Sequence, residues 1–495
     1  MKRRRICICL LFGLLLSLVS CGTTERPETD ASASTAIQEP DTPLETDPLS
    51  PYLEALTVKD YDGYSFRIMN SSSNFAYSAV VPEEITGEAL NDAVYNRNLA
   101  VCDALNISLI NTEGQWANGI TMTRAFIQAN SDEYDICCNE AALIAPLALE
   151  GLLQDGAKID SVHLDNPWWD QNAISSANLG DTRYLLWGNM HLMLYECYYP
   201  VLVNKTYIEN ASLTDPYTLV REGKWTFDVM HTYMETAWQD INGDGKYVAG
   251  EDHFGLAIFD HGATSFFVAA DTSLFSMDEK HMPVFHGLTE RYEAVFSKLT
   301  STIFQNKDNL LRSNTPAVAS LDSEARVHDG FGMGGAMFYV EPLGSVKKFR
   351  DVDFEVGVLP MPKYEETQSE YISYIYHGAD AVTIPVTNRD MDRTGVILEM
   401  FGARSHTLLI PVYFDTTLAF KYIQDAESKE MLDIMFANGR FDLGSIYKWG
   451  GITEAAYGQL FSKSPNLASK ITALTDKTNA AVQETIDTYL AAAQK

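Results

Sequence analysis

Residues 240–251 carry the densest ligand-forming pattern in the chain. Asp240, Asn242 and Asp244 occupy positions 1, 3 and 5, Gly245 position 6 and Glu251 position 12 of the calcium-loop pattern D-x-[DN]-x-[DN]-G-x5-E. Oxygens at alternate positions wrap one side of a hard cation. The glycine permits the sharp turn, the Lys246 carbonyl at position 7 adds a ligand, and Glu251 closes the site with both oxygens. These residues are predicted to hold one structural Ca2+. Before the loop, Phe227, Met230, Met234 and Trp238 recur at helical spacing; after it, residues 253–259 read as a strand. The loop is therefore expected as a lone helix–loop–strand site and not half of an EF-hand pair. The competing reading is a metal-free turn rich in Asp and Asn.

Covalent chemistry finds little support. The chain has no G-x-S-x-G elbow, no H-E-x-x-H helix and no P-loop. Gly330–Gly335 contains G-x-G-x-x-G, but residues 336–340 have a strand pattern where a dinucleotide site needs a helix, so close backbone approach is the expectation. His281 and His286 lack a metal-ligand spacing. The 67 acidic residues offer many carboxylate pairs, and no motif singles one out for glycoside hydrolysis. The chain is predicted not to be an enzyme. Among its 7 cysteines, Cys7 and Cys9 fall in an N-terminal leader, and Cys102, Cys137, Cys138 and Cys197 fall in the body. No C-x-x-C occurs, and adjacent Cys137 and Cys138 in an apolar strand favour buried free thiols.

Aromatic residues point to binding. Trp168, Trp169, Trp187, Tyr195, Tyr198, Tyr199, Phe266 and Phe267 crowd the middle of the chain; Tyr339, Tyr376 and Trp449 follow. Flat rings stack on the apolar faces of sugars or make cation–π contacts with amines. Core packing is the better reading for any single ring, yet some should line a cleft.

The elements that must position these residues follow a leader and a tether. Lys2–Arg5 are basic and residues 6–16 are apolar, a signal-peptide pattern too short for a comfortable membrane span. Leu18, Val19, Ser20 and Cys21 look like a bacterial lipobox, which makes residues 1–20 a signal peptide and Cys21 the lipidation site. Residues 21–51 are rich in Pro, Thr, Ser and acid and too poor in apolar side chains to fold, so they read as a tether. The expected location is the extracellular face of the cell membrane. With 36 basic against 67 acidic residues the net charge is -31, which excludes sequence-independent nucleic-acid binding and leaves a neutral or cationic small ligand compatible. At 495 residues and 46% hydrophobic composition, the remainder is long enough for two or more lobes.

The body begins near Tyr52. Residues 64–70 alternate like a strand and run into a Ser-rich turn; Thr86 is placed to cap a helix through Leu90, Val94, Leu99 and Leu105. Residues 107–110 and 134–138 read as strands around a helix at 122–129. Strands alternating with helices predict an α/β fold with largely parallel sheets, and ligands in such sheets sit beyond the carboxyl ends of the strands. That rule selects residues 71–74 and Asn139 with Glu140. Residues 354–359 and 381–385 supply later strands, and residues 392–400, 428–436 and 467–493 read as helices.

Read in order, several segments resemble the extracellular solute-binding lipoproteins of bacterial ABC importers, the largely carbohydrate-binding family 1 group. They are Tyr134-Asp135-Ile136, Pro167-Trp168-Trp169-Asp170, Val203-Asn204-Lys205, Gly223 to Thr226, the calcium-like loop, Gly357 to Tyr364, Ile384-Pro385, Asp425 to Ser428 and Met431 to Ile434. The resemblance spans about residues 64–449. It implies a two-lobed, periplasmic-binding-protein-like (type II) fold whose lobes are discontinuous: residues 52–188 with 364–403, and 189–363 with 404–495. It further implies a hinge and an interlobe cleft lined by Ser73, Asn74, Asn139, Glu140, Trp187, Asn189, His191, Phe266, Glu341 and His377. One departure from the sugar binders is Cys137-Cys138 where a Trp would soon follow Asp135-Ile136. The implied function is capture of a small solute, a sugar or oligosaccharide, by a monomer that hands it to a membrane permease. A surface adhesin or sensor component, and a secreted glycoside hydrolase, are the alternative readings.

Overall fold

The structure, a computed structural model, describes Tyr52 and residues 59–71, 80–114, 116–313, 326–414 and 426–492. The leader, Cys21 and the tether lie outside the described residues, as do Ser73 and Asn74. Within the described residues, nine strands build two main sheets. In chain order they are β1 (Tyr64–Asn70), β2 (Ile107–Glu113), β3 (Ile136–Glu140), β4 (Val201–Asn204), β5 (Phe254–Ile258), β6 (Leu310–Arg312), β7 (Ala336–Val340), β8 (Val356–Leu359) and β9 (Asp380–Thr383). The first sheet has the order β9-β3-β1-β2 and the second β8-β4-β7-β5-β6. Each sheet therefore gathers segments far apart in the chain, as a two-lobed α/β protein with discontinuous lobes requires.

Local sequence explains the pairing. β1 alternates so that Phe66 and Ile68 are wholly buried, and it pairs parallel with β2 and β3. Parallel neighbours need crossovers; helices Ala89–Leu105 and Trp116–Gln128 supply them. Thr86 is not the N-cap of the first helix: Glu88 stands there, and the Asp92 carboxylate accepts the Thr86 and Gly87 N–H groups at 2.9 and 3.1 Å. β3 buries Ile136, Cys137, Cys138 and Asn139, with the two cysteines as free thiols. Burial pushes the Cys137 thiol up to about 12, which keeps it protonated and unreactive. The glycine-rich run is a packing device: a Cβ on Gly335 would lie 2.8 Å from the Gly330 carbonyl, and one on Gly330 would strike the Leu311 side chain.

Two of the chain's passages between the sheets lie side by side. The Tyr199 N–H donates to the Tyr374 carbonyl at 3.0 Å, and the Tyr376 N–H to the Cys197 carbonyl at 2.8 Å. A two-residue ladder, Ser373–Tyr374 against Gly439–Arg440, extends this junction. Helix Met391–Arg404 packs on helix Ala89–Leu105 of the first lobe, and helix Ala426–Ala437 on β8 of the second, so the chain passes between them a third time.

The tryptophan pair sits in the first lobe's core. Glu399, wholly buried, accepts from Trp168 Nε1 at 2.9 Å, Trp169 Nε1 at 2.8 Å, Asn166 Nδ2 at 2.8 Å and the His163 N–H at 2.8 Å. No described helix is long and apolar enough to cross a membrane.

Candidate functional site

Strands β3, β5 and β7 end at the junction, where β4 and β9 begin, and the residues that follow their ends form one wall. β5 ends at Ile258 and is followed by Phe259 and His261; β7 ends at Val340 and is followed by Glu341; the returning passage brings Tyr376 and His377. Their rings form a ladder. His328 to Phe259 is 5.3 Å between centroids, Phe259 to His261 5.7 Å and nearly parallel, His261 to Tyr376 5.5 Å, and Tyr376 to His377 4.3 Å. All five rings are half-buried, whereas Tyr199, Tyr339 and Tyr374 beneath them are fully buried. A row of half-exposed rings over a closed aromatic floor is a stacking surface.

Carboxylates flank the ladder. Glu341 is 5% exposed; its Oε1 lies 3.6 Å from His261 Nε2, and its Oε2 has no hydrogen-bond partner. Glu140, at the end of β3, precedes helix Ala141–Leu149 and is half-buried. Burial raises the Tyr376 phenol well above its usual range, and the charges of Glu140 and Glu341 push in the same direction, which places both carboxylates within electrostatic reach of one ring. Burial, with Lys448 and His261 adding to it, pushes His377 down to about 3; burial and Lys348 do the same to His328, also to about 3. Both imidazoles are neutral near pH 7 and act as hydrogen-bonding aromatic surface.

Three residues expected at the cleft thus meet on this wall: Glu140, Glu341 and His377. Asn139 lies just beneath, wholly buried, with its amide donating to Ser71 Oγ and its Oδ1 unpartnered. The first passage differs from expectation. Trp187 is 1% exposed and packs on Phe441 with centroids 4.7 Å apart. Asn189 is engaged by His406 Nδ1 at 2.8 Å and by the Tyr195 hydroxyl at 2.5 Å. His191 is buried, its Nδ1 accepting the Met193 N–H at 3.2 Å and its Nε2 3.5 Å from Asp380. These side chains hold the passage in place from below. Phe266 is a core residue: its helix, Thr264–Ala269, is buried throughout, and its ring packs on Phe227 at 5.9 Å and Phe304 at 5.4 Å. Its doublet with Phe267 follows from that burial. Sequence reasoning missed His261 and Phe259 on the wall, although the strand-end rule that selected Glu140 applies equally to the residues after β5.

Residues 240–251 form the expected loop between helix Phe227–Ala237 and β5. Gly243 and Gly245 adopt φ of 72° and 76°. Asp240 accepts the N–H groups of Gly243 at 2.7 Å and Gly245 at 2.9 Å, Asn242 that of Asp244 at 2.9 Å, and Asp244 that of Lys246 at 2.8 Å. Asn242 Nδ2 donates to Glu251 at 3.3 Å. Asp252, which the pattern does not include, is buried and fastens the loop through the Ile241 and Val248 N–H groups at 2.9 Å each. Among the described residues no three His, Cys, Asp or Glu side chains are grouped as a metal would need.

No protein-family model matches the chain, and no curated protein matches it. Solved structures do. The cyclic α-maltosyl-1,6-maltose binding protein from Arthrobacter globiformis superposes with a TM-score of 0.57 at 11% identity, over 85% of this chain and 99% of its own. The galacto-N-biose/lacto-N-biose I-binding protein of the ABC transporter from Bifidobacterium longum, in complex with lacto-N-biose, gives 0.55 at 12% identity, over 86% and 98%. UspC of M. tuberculosis gives 0.55 at 14% identity, over 84% and 100%. The fold is that of the two-lobed solute-binding proteins. In that fold the wall described above stands at the junction of the lobes, beyond the ends of the strands, where an α/β sheet offers its binding crevice.

Proposed function

We propose that the protein is an extracellular solute-binding protein that captures a sugar or oligosaccharide between its lobes and delivers it to an ABC permease. The observation that carries this reading is the half-exposed ring ladder from Phe259 to His377, flanked by Glu140 and Glu341. Rings supply faces for the C–H surface of a sugar, and carboxylates accept its hydroxyl protons. Neighbours of the same fold are named for binding oligosaccharides, including one solved with lacto-N-biose. Binding alone suffices: contacts made only when the lobes close would shift the hinge equilibrium, with no covalent step. Support for a lipid anchor at Cys21 and an extracellular location comes from the leader and lipobox-like residues. The protein acts as a monomer in this reading.

A thermal-shift screen with mono- and oligosaccharides tests the proposal. A saturating sugar at 100 times its Kd adds about 2.7 kcal/mol of stability, and the sugar should be recovered unchanged. Breakdown of the sugar would make the protein a hydrolase; no stabilisation by any sugar would overturn the reading. We also propose that residues 240–251 take one structural Ca2+, on the strength of their pattern and paired positive-φ glycines. Occupancy would swing Glu251 from Asn242 onto the ion. Titration calorimetry with Ca2+, alongside Asp240→Ala, decides it.

A further inference from the structure

One carboxylate beside the ring ladder is held in a single orientation from behind. Asp260 stands between Phe259 and His261, and Arg312 ends β6, whose pairing with β5 sets Arg312 opposite Ile258. Arg312 donates to Asp260 Oδ1 through Nε at 3.0 Å and Nη2 at 2.7 Å, and to Oδ2 through Nη2 at 2.8 Å. Its guanidinium lies over the Phe461 ring, 3.8 Å from the centroid. Stacking fixes the plane of the guanidinium, and the fork of hydrogen bonds then fixes the carboxylate. Helix Ile452–Tyr457 packs on the turn Asp260–Ala263 and brings a phenol to the same place. Burial, then the charges of Glu454 and Asp260, push Tyr457 up to about 12, and Tyr457 in turn acts on Tyr376 of the ladder.

The order of burial separates this pair from an architectural one. Arg67 grips Asp135 by a similar fork, Nε to Oδ2 at 3.1 Å and Nη2 to Oδ1 at 2.8 Å, but there the carboxylate is wholly buried and the cation lies outermost. In the Arg312–Asp260 pair the cation's side chain is 16% exposed and the carboxylate's 50%. An ion pair with one partner so exposed adds little to stability. Arg312 approaches from one edge, and a carboxylate has lone pairs to spare on its other edge. A carboxylate already fixed loses less freedom when it binds a ligand. Resting on the sugar-binding reading above, we infer that Arg312 is a positioning residue of the cleft, which acts through Asp260 by aiming that carboxylate at neighbouring hydroxyls of the sugar. The ladder then grips the sugar's face, and Asp260 sets which way round it lies.

Titration calorimetry of the full chain with the best sugar from the screen and each of its monodeoxy analogues tests this. In the parent, removal of one particular hydroxyl should weaken binding about 10-fold or more. In Asp260→Ala that sugar and that analogue should bind equally. Arg312→Lys keeps the charge and the apolar stem but loses the fork, and should shrink the penalty at least about 3-fold. The double variant should match Asp260→Ala alone. Each penalty is a ratio within one variant, so a general loss of affinity or of folded protein cancels. A penalty unchanged in Arg312→Lys, or a double variant worse than Asp260→Ala, overturns the positioning role. A full set of penalties in Asp260→Ala, or none in the parent, overturns the inference and leaves sugar capture standing. A parent that binds no sugar overturns the sugar reading itself.

Discussion

Glu399 and Glu341 are both buried carboxylates among aromatic rings, and they are treated in opposite ways. Glu399 receives four donors, two of them tryptophan indoles, all at 2.8–2.9 Å. Glu341 has a histidine nitrogen at 3.6 Å on one oxygen and no partner on the other. A satisfied buried charge fixes a fold, since each donor is held in place by the acceptor it needs. A half-satisfied one is a cost the folded chain carries until something arrives with a donor. By this contrast the tryptophan doublet is architecture, and the strand end beside His261 is the proposed binding site.

The largest expected effect breaks the first half of the contrast. Glu399→Ala leaves two buried indole N–H groups without acceptors and should cost about 3–5 kcal/mol, read as a fall in the denaturation midpoint. The surviving folded molecules should bind sugar as the parent does. Equal loss of affinity per folded molecule would erase the distinction between the two sites.

The second half is broken at Glu341. Glu341→Ala should leave unliganded stability within about 1 kcal/mol of the parent, because no full hydrogen-bond set is lost. Sugar affinity should fall about 10- to 100-fold, measured by calorimetry. A collapse in stability would place Glu341 with Glu399 as architecture.

A buried histidine sharpens the rule through pH. Burial, then Arg97, lowers His191 to about 3, below its ordinary value of 6.5. Below pH 6.5 the unfolded chain therefore binds a proton that the folded chain refuses. The stabilising contribution of neutral His191 is present above that pH and is lost as pH falls towards 3, with about 2 kcal/mol gone by pH 5. The slope of stability against pH between 6.5 and 5 should flatten in His191→Asn. An unchanged slope would mean His191 titrates normally.

The smallest effect concerns the ladder. Tyr376→Leu keeps apolar bulk but removes a ring face, which should weaken sugar binding about 3- to 10-fold. The Tyr376 backbone N–H bond to Cys197 across the passages is kept in this variant, while the ring contact with Tyr199 at 6.2 Å is lost.

Much of this was legible residue by residue. The alternation of β1, the helix before residue 240 and the strand after it, and the C-terminal helix Leu467–Ala492 follow from local periodicity. The motifs that carried the family resemblance prove largely architectural. Asn204 caps the helix Lys205–Asn210, Ser428 Oγ accepts the Val358 N–H at 3.0 Å, and a Cβ on Gly357 would collide with the Tyr217 hydroxyl. The strand-end rule found Glu140, because it needs only the position where a strand stops. His261 stayed hidden because its importance lies in facing Glu341 and Tyr376, partners far away in the chain that only the pairing of β5 with β7 and the returning passage bring near. Trp187 and Phe266 misled for the complementary reason: aromatic type is the same in a core and on a wall, and burial separates them.

Small-angle X-ray scattering of the protein, with and without the best sugar from the screen, decides whether this wall closes on a sugar. The radius of gyration should fall on saturation in the parent and stay unchanged at the same concentration in a Glu341→Ala, Tyr376→Leu double variant. A parent whose radius of gyration does not move when the sugar is bound, or a double variant that closes as the parent does, would contradict it.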